Sequence, residues 1–361
     1  MKIVIFAGGY GTRMWPASRK SFPKQFYPII KGKSFFQQTI NRFKKRFKPE
    51  DIMISTEEAY MRFVHEQSPE IPRKNLIIEP ERRDLLGAVG LVATVVNKLY
   101  PGEVMFFSWS DHFISNDEKF LDAVETAVKY TEETGKPTAV DEKPPFPSSA
   151  WGWRKIGKKV TTLNGLSLYE IEEHKEKPDM VLAKKMFASK KWLIHTGYGA
   201  WRSDLMLGYY KEHRPKEYQG LMKIAEVWGT DRQDKVLREE YHKFEKTSIE
   251  YAIYEKLPHD LRLTIPMSVG WEDAGTWKLF YSAMIEKGEE NVLEGGIETE
   301  FLDSKGNLIV GRRNKLFAII GLENLVVVDT EDAVLICPMD QTEKVKELFK
   351  ELEKDKPRYI E

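Results

Sequence analysis

The stretch that decides the fold stands near the amino terminus, where residues 3–16 read IVIFAGGYGTRMWP. Residues 3–7 form a short apolar run stopped by glycine, which is typical of a buried strand. The glycines at positions 8, 9 and 11 allow a close approach of the backbone to a ligand, because no side chain stands in the way. The segment therefore predicts a strand followed by a phosphate-accepting loop, with an ordinary strand-to-loop turn as the alternative.

Apolar strands and helical patterns alternate through the first half of the chain. We predict strands over 3–7, 51–55, 75–79, 103–110 and 137–141, with helices over 34–47, 57–67, 85–98 and 116–134. Parallel strands need crossover helices, so the alternation predicts an α/β fold with a mixed but mostly parallel, Rossmann-like sheet. The middle is less regular, with strands near 167–173 and 192–201, a helix over 179–189 and further helices from 203 to 256.

The last quarter of the chain changes character. Short apolar segments at 300–302, 307–310, 316–320, 325–328 and 334–337 alternate with turn-rich sequences. Such a recurrence is typical of a small all-β module, either a solenoid of short strands or a meander. We therefore expect two domains, a catalytic domain over 1–290 and a β module over 291–361 that ends in a helix near 341–354.

The amino-acid composition excludes several classes of protein. The chain has 361 residues, and its 56 basic and 56 acidic side chains give no net charge, which argues against a dedicated nucleic-acid binder. Cys337 is the only cysteine, so the chain forms no internal disulfide. Neither a signal sequence nor a membrane span is expected, which favours a cytoplasmic protein. The 31% charged residues, rich in Lys and Glu, favour a heat-adapted source.

Charged side chains beside the glycines indicate chemistry on phosphates. Arg13 and Lys24 lie in one long connection after the first strand and suit a triphosphate. Asp111 follows the fourth strand, at the sheet edge where ligands of such folds bind, and Asp273 stands between two tryptophans. Carboxylates of this kind can hold Mg²⁺ together with phosphate oxygens and water. In isolation, Asp111 is better explained as the cap of a turn, and Asp273 is at least as well explained as a turn residue.

Motifs along nearly the whole chain resemble those of the sugar-1-phosphate nucleotidyltransferases, and within them the mannose-1-phosphate guanylyltransferase branch. The opening GGYGTRMWP is shared by the wider superfamily. More specific to the guanylyl branch are FPKQF (22–26), SIEYAIYEK (248–256) and WEDAGTW (271–277). The other landmarks are IEP (78–80) with RD (83–84), SDH (110–112) and EKP (176–178).

The resemblance implies transfer of a guanylyl group from GTP to a hexose-1-phosphate, with mannose-1-phosphate favoured, to give a GDP-sugar and pyrophosphate. It implies catalytic roles for Arg13, Lys24, Asp111 and Asp273, with the two aspartates as Mg²⁺ ligands. The nucleotide-binding residues that it implies are Ala7, Gly8, Gly9, Gly11, Thr12, Arg13, Lys24, Glu79, Pro80 and Ser110. The sugar-phosphate-binding residues are Gly152, Glu176, Lys177 and His195. It further implies a homodimer and a left-handed β-helix-like carboxyl-terminal module.

Other interpretations remain open at several positions. His195 stands where the family usually has a sugar-contacting asparagine, and it is equally well explained as a core histidine. Glu176 and Lys177 can be a solvated charge pair at a helix start, and Trp151 and Trp153 can fill the core. The alternatives in function are a sister transferase that uses another nucleotide or sugar phosphate, and a catalytically silent paralogue that binds nucleotide sugars.

Overall fold

The computed structural model describes residues 1–9, 11–285, 288–312 and 314–361. Tyr10, Glu286, Lys287 and Arg313 lie outside the described residues. Among the residues described, no helix has both the length and the apolar character needed to cross a membrane.

The first part of the chain alternates strands and helices as predicted. Ser34 begins the first helix with a capping box, because its hydroxyl accepts the Gln37 amide while the Gln37 side chain accepts the Ser34 amide. The strands are β1 (Lys2–Phe6), β2 (Ile52–Glu57), β3 (Leu76–Glu79), β4 (Val104–Trp109), β5 (His112–Ile114) and β6 (Thr138–Glu142). The helices are α1 (Phe35–Lys44), α2 (Met61–Gln67), α3 (Asp84–Leu99) and α4 (Asp117–Thr134).

The middle of the chain departs from the prediction in several places. A long strand that we did not predict precedes the one expected near 167–173, and the single strand expected over 192–201 is divided into two. The strands here are β7 (Gly152–Leu163), β8 (Leu166–Glu176), β9 (Trp192–Ile194), β10 (Gly199–Arg202), β11 (Leu263–Met267) and β12 (Trp271–Asp273). The helices are α5 (Met180–Ser189), α6 (Ser203–His213), α7 (Pro215–Val227), α8 (Gln233–Tyr241), α9 (Ile249–Ala252) and α10 (Trp277–Met284). Strands β11 and β12 and helix α10 were not predicted.

The main sheet of the described chain has ten strands in the order β11-β8-β7-β9-β6-β10-β4-β1-β2-β3. Strands β3, β2, β1 and β4 are parallel to one another, as expected for the alternating part of the sequence. Beyond β4 most pairings are antiparallel, because β10, β9 and the β7–β8 hairpin enter without crossover helices. The parallel character is therefore confined mainly to the amino-terminal strands.

The sheet separates two apolar cores. Alternate residues of β1 point to opposite faces, so that Ile3 and Ile5 join one core while Val4 and Phe6 join the other. Helices α1 and α4 cover the first face, and α3, α6 and α7 cover the second. The carboxyl ends of β1 and β4 consequently open at one edge between these layers.

The carboxyl-terminal module is a solenoid of short strands and not a meander. Its strands are β13 (Val292–Glu294), β14 (Glu298–Leu302), β15 (Leu308–Val310), β16 (Leu316–Ile320), β17 (Leu325–Asp329) and β18 (Val334–Pro338), and the helix α11 (Val345–Asp355) follows. Strands β13, β15 and β17 stack in parallel, as do β14 and β16, whereas β18 pairs antiparallel to β17.

A third apolar core joins this module to the first part of the chain. Met14 and Trp15, which follow the glycine-rich loop, pack in it with Trp277 of α10 and with Val345 and Phe349 of α11. The Trp15 indole also donates to the carbonyl oxygen of Tyr359 at 2.8 Å. The loop after β1 is therefore packed directly against the carboxyl-terminal helix.

Candidate active site

The loop after β1 is anchored by the side chain of Gln25. Its Nε2 lies 3.3, 3.2 and 3.3 Å from the carbonyl oxygens of Ala7, Gly8 and Gly9, to which it donates. Gln25 is buried and belongs to the FPKQF motif. We assigned no role to Gln25 from the sequence. Its position in a motif specific to the guanylyl branch was the one signal that could have indicated a role.

Gly11 lies where no side chain fits. Its φ is +68°, and a Cβ at this position would stand 2.5 Å from Cγ of Lys24. The left-handed conformation and the close approach both require glycine. The loop and the aliphatic stem of Lys24 are thus in direct contact, which brings the ammonium group to the carboxyl end of β1.

Lys24 connects the two predicted metal ligands. Its Nζ is 2.9 Å from Oδ2 of Asp111 and 3.7 Å from Oδ1 of Asp273. Burial lowers the pKa of Lys24, but the two carboxylates outweigh burial and the net direction is upward. Burial raises the pKa of Asp111, whereas Lys24 and His112 lower it, and the net direction is downward. Lys24 and Asp111 are therefore both charged at neutral pH.

The donor set of this pair of aspartates fits a hard divalent cation. Asp111 follows β4, and Asp273 ends β12 in a strand pair with β5, where the sequence had suggested a turn. Within the described ranges, no cluster of three or more His, Cys, Asp or Glu side chains could hold a metal. Two carboxylates that leave the other positions to phosphate oxygens and water are the arrangement that Mg²⁺ prefers.

A cleft of about 470 Å³ surrounds these charges. Four basic side chains line it, and they come from the long connection after β1, from the residue after β8 and from α11. The lining residues are Gly8, Gly9, Gly11, Thr12, Arg13, Lys24, Gln25, Asp111, Lys177, Asp273, Gly275, Glu343 and Lys346. We call this space the phosphate cleft, because its bare backbone and its cations can bind a polyphosphate.

A second cavity, of about 360 Å³, shares Gly8, Gly9 and Asp111 with the phosphate cleft. Glu79 at the end of β3 lines it, and its carboxylate accepts hydrogen bonds from Tyr241 at 2.7 Å and from Ser55 at 3.2 Å. Burial raises the pKa of Glu79 to about 7 against the lowering effect of these two bonds. The charged residues Glu57, Arg82, Asp84 and Lys246 also line this cavity, and we had not predicted a role for them.

The predicted sugar residues converge on Gly152 at the start of β7. A Cβ at Gly152 would lie 2.6 Å from Oε2 of Glu176, 3.2 Å from Cε1 of His174 and 3.5 Å from Cβ of His195. The bond from His174 lowers the pKa of Glu176. Only glycine fits at this buried point, because the side chains of Glu176, His174 and His195 occupy the space that a Cβ would take.

Lys177 extends this region to the phosphate cleft. Its Nζ is 3.5 Å from Oε1 of Glu176, and the residue lines the cleft. Its backbone has φ +42°, which is rare for a side chain of this size and is typical of residues constrained at functional sites. The conformation is held by a hydrogen bond from the Lys177 amide to the carbonyl oxygen of Trp151 at 3.2 Å.

His195 belongs to a buried charged network. Its Nδ1 lies 3.5 Å from Asp141, and its Nε2 lies 3.8 Å from Glu250 and 3.4 Å from Arg154. Burial and Arg154 lower the pKa of His195, but the two carboxylates raise it and the net direction is upward. Burial raises the pKa of Glu250, yet His195 brings it down to about 2. Arg154 was not predictable from sequence, because it lies in the strand that we did not predict.

Other residues implied by the resemblance lie at the margin of these spaces. Ser110 is buried and its amide donates to the Phe6 carbonyl oxygen, while Pro80 lines a neighbouring cavity with Ile78. Both Trp151 and Trp153 are buried in the first core, so core filling is the correct interpretation for them.

A larger cavity, of about 710 Å³, lies elsewhere in the fold. Leu166, Phe187 and Trp192 are among its lining residues, and none of the predicted site residues belongs to the lining. The phosphate cleft is lined instead by the four residues predicted to be catalytic, Arg13, Lys24, Asp111 and Asp273.

Comparison with known proteins agrees with this geometry. A putative mannose-1-phosphate guanylyltransferase from Vibrio cholerae is 31% identical, over 97% of this chain and 74% of that protein. The mannose-1-phosphate guanylyltransferase RfbM of Salmonella typhimurium is 29% identical, over 98% of this chain and 72% of that protein. A crystal structure described as mannose-1-phosphate geranyltransferase from Thermus thermophilus has a TM-score of 0.85 at 26% identity, covering 98% of this chain and 99% of that one.

The two parts of the chain match separate families. Residues 300–352 match the MannoseP isomerase/GMP-like beta-helix domain, and residues 2–290 match the nucleotidyl transferase family. The expected α/β fold with a β-helix-like module is confirmed, and so is the resemblance drawn from the motifs. With most of its length matched in this way and the glycine-rich loop, Lys24 and the paired aspartates in one cleft, this chain belongs to the nucleotidyl transferase family of enzymes.

Proposed function

We propose that the protein is a mannose-1-phosphate guanylyltransferase, which converts GTP and mannose-1-phosphate into GDP-mannose and pyrophosphate. The observation that carries the proposal is the position of Lys24 between Asp111 and Asp273, in a cleft that continues to Glu79 on one side and to Lys177 on the other. The relatives from Vibrio cholerae and Salmonella typhimurium carry this activity in their names, the former as putative.

The reaction needs no covalent enzyme intermediate. An oxygen of the sugar phosphate attacks the α-phosphorus of GTP, a new P–O bond forms, and the bond from that phosphorus to the oxygen bridging the β-phosphate breaks. Pyrophosphate leaves with the bonding electrons. Since both reactants are anions, the work of the protein is to position them and to neutralise their charge.

The chain supplies this charge neutralisation from several elements. Arg13 and Lys24 hold the triphosphate beside the glycine-rich loop, and Lys177 holds the phosphate of the attacking sugar. Asp111 and Asp273 would hold Mg²⁺, which when bound would stabilise the negative charge on the phosphoryl oxygens. Because Lys24 contacts both carboxylates, it also keeps them together before the nucleotide arrives.

The two ends of the cleft select the substrates. Glu79, in its carboxylate form, accepts hydrogen bonds from the N–H groups of guanine in the cavity after β3. Gly152 and Glu176 bind sugar hydroxyls, and His195 is oriented beside them by Asp141 and Glu250. The titratable His195, whose pKa is raised by Asp141 and Glu250, distinguishes the sugar end of this chain from a site with a neutral asparagine.

A substrate panel tests the proposal. Each of the four nucleoside triphosphates is combined with mannose-, glucose-, fucose- and heptose-1-phosphates in the presence of Mg²⁺, and pyrophosphate release is measured. We expect the highest kcat/KM for GTP with mannose-1-phosphate. A higher value for another pair would reassign the substrates to a sister transferase, and no release from any pair would overturn the transferase activity itself.

A further inference from the structure

The segment 339–355 at the carboxyl terminus reaches the phosphate cleft. Glu343 and Lys346 both line it, although they lie more than 300 positions after the glycine-rich loop. Oε2 of Glu343 is 3.4 Å from Nη1 of Arg13. The start of α11 therefore stands within one side-chain length of the arginine that follows the loop.

This position is fixed by packing. Val345 and Phe349 are buried in the third core together with Met14 and Trp15, so α11 and the end of the loop share one set of apolar contacts. A buried helix face holds the residues between its anchors in place, and Lys346 follows directly after the buried Val345. Its side chain is thus presented to the cleft by a rigid element.

Lys346 differs from the other cations of the cleft in its partners. Arg13 pairs with Glu343, Lys24 with Asp111 and Asp273, and Lys177 with Glu176. For Lys346, by contrast, the described residues provide no ion pair. A solvated lysine on a helix surface needs no partner, but this one lines a cleft whose expected ligand is a polyanion.

The direction of the cleft indicates which phosphates Lys346 meets. The cavity with Glu79 shares Gly8, Gly9 and Asp111 with the phosphate cleft. Lys346 lines the phosphate cleft but not the cavity with Glu79. Lys346 is one helical turn from Glu343, which contacts Arg13. It therefore stands on the Arg13 side, away from the base end of the site.

We propose that Lys346 binds the terminal phosphates of the nucleotide and the pyrophosphate that leaves, so that the β module completes the active site of the domain before it. The proposal rests on the triphosphate reaction proposed above. It assigns to α11 a direct part in substrate binding, in addition to its part in the core.

The test compares Lys346→Ala with Lys350→Ala, an exposed lysine one turn further along α11 that does not line the cleft. Kinetics are measured in both directions. For Lys346→Ala we expect the KM for pyrophosphate and for GTP to rise about tenfold, as for the loss of one charged hydrogen bond. The KM values for mannose-1-phosphate and GDP-mannose should stay within about twofold of the wild type, and Lys350→Ala should change none of the four.

The outcomes separate this inference from the proposed function. An unchanged KM for pyrophosphate, or an equal rise in all four KM values, would overturn the role of Lys346 while leaving the reaction in place. If the wild type releases no pyrophosphate from any substrate pair, the proposed function fails. Calorimetric binding of pyrophosphate with Mg²⁺ to the wild type and to Lys346→Ala then still decides the inference, because equal affinities would refute it.

Discussion

Lys24 determines the electrostatics of the candidate site, because it lies between two carboxylates that would otherwise repel each other. Its ammonium group is 2.9 Å from Asp111 and 3.7 Å from Asp273, and its stem is buried against Gly11. A divalent cation that binds both acids takes over part of this role. Metal affinity should therefore depend on the nucleotide, whose phosphates offer Lys24 a new partner.

Asp111→Asn should weaken divalent-cation binding in the presence of GTP by at least the roughly 10- to 100-fold that the loss of an outer-shell partner costs, because one anionic ligand of two is lost. Mn²⁺ binding followed by electron paramagnetic resonance measures the effect independently of turnover. Asp260→Asn serves as a control, since Asp260 is exposed and pairs with Lys136 outside the cleft. An unchanged Mn²⁺ affinity in the Asp111 variant would refute its role as a ligand.

Glu79 should make the stability of the protein fall as the pH rises. Burial raises the pKa of Glu79 from 4.5 to about 7 in the folded state. Between these two values the unfolded chain has released the proton while the folded chain still binds it, so the free energy of unfolding decreases with pH. Below the unfolded pKa both states bind the proton, so Glu79 causes no decrease in the free energy of unfolding there.

Glu79→Gln removes this titration and keeps one oxygen acceptor. Because Tyr241 and Ser55 donate to different oxygens of Glu79, one of these hydroxyls has to accept from the amide of the variant instead. Relative to the wild type, the free energy of unfolding of the variant should increase by about 3 kcal/mol between pH 4.5 and pH 8.5. Urea denaturation of both proteins at several pH values gives this difference directly, and other titrating groups cancel. A difference that does not vary with pH would show that Glu79 titrates normally.

Sequence predicted the residues whose role is set by their neighbours in the chain. Arg13, Lys24 and Asp111 lie in local motifs at the end of a strand, and the structure brings them together. Glu343 and Lys346 were not predictable, because only the folding of the β module onto residues 14 and 15 carries them to the cleft. The spacing of such residues in the sequence does not indicate that they reach the site.

At the scale of elements, substitutions of two glycines in the loop after β1 show whether this loop binds a ligand or is only a structural turn. Gly11→Ala should lower the free energy of unfolding by about 2 kcal/mol, because the residue has φ +68° and the new Cβ would contact Lys24. Gly8→Ala should be nearly neutral for stability, since no atom lies within 4 Å of a Cβ at that position. Thermal unfolding of both variants measures this contrast.

The same pair tests the phosphate interpretation. Gly8 lines both cavities, so a methyl group there should raise the KM for GTP although the fold is retained. If Gly8→Ala binds GTP like the wild type, close approach of the backbone to the phosphates is refuted. The loop would then be an ordinary turn, which the glycines alone also allow.

Helices and parallel strands followed the sequence pattern closely, but the antiparallel part of the sheet did not. Strand β7 was missed because its second half carries lysines and threonines on an exposed hairpin, without the apolar alternation of a buried strand. The strand predicted over 192–201 is interrupted at Gly197, where φ is +79° and a Cβ would meet the Trp109 indole at 2.5 Å. The break at Gly197 comes from a tertiary contact, whereas β7 and β8 form a local hairpin that turns at Asn164 and Gly165, so a sequence signal for it was present.

On the scale of the whole molecule, the third core makes the catalytic loop depend on the carboxyl-terminal helix. Phe349→Ala should lower the free energy of unfolding by about 3 to 5 kcal/mol, as for other buried phenylalanines. It should also reduce turnover, because Met14 and Trp15 lose their packing partner. Glu351→Ala, on the exposed face of the same helix, is the matched control and should alter neither quantity.

Denaturation in urea and pyrophosphate release measure the two effects of Phe349→Ala. If the variant is destabilised but turns over at the wild-type rate under conditions where it is fully folded, the module supports the core without influencing the loop. That result would separate the two parts of the chain functionally.

The reversal of β18 limits how the module can associate. A stack of parallel coils ends in an open edge whose backbone groups match those of another such stack, which invites elongation into filaments. Here the edge next to β17 is covered by a strand of the opposite direction. A parallel coil from a second molecule would meet an antiparallel strand there in place of a matching coil, so the reversal of β18 disfavours elongation from this end.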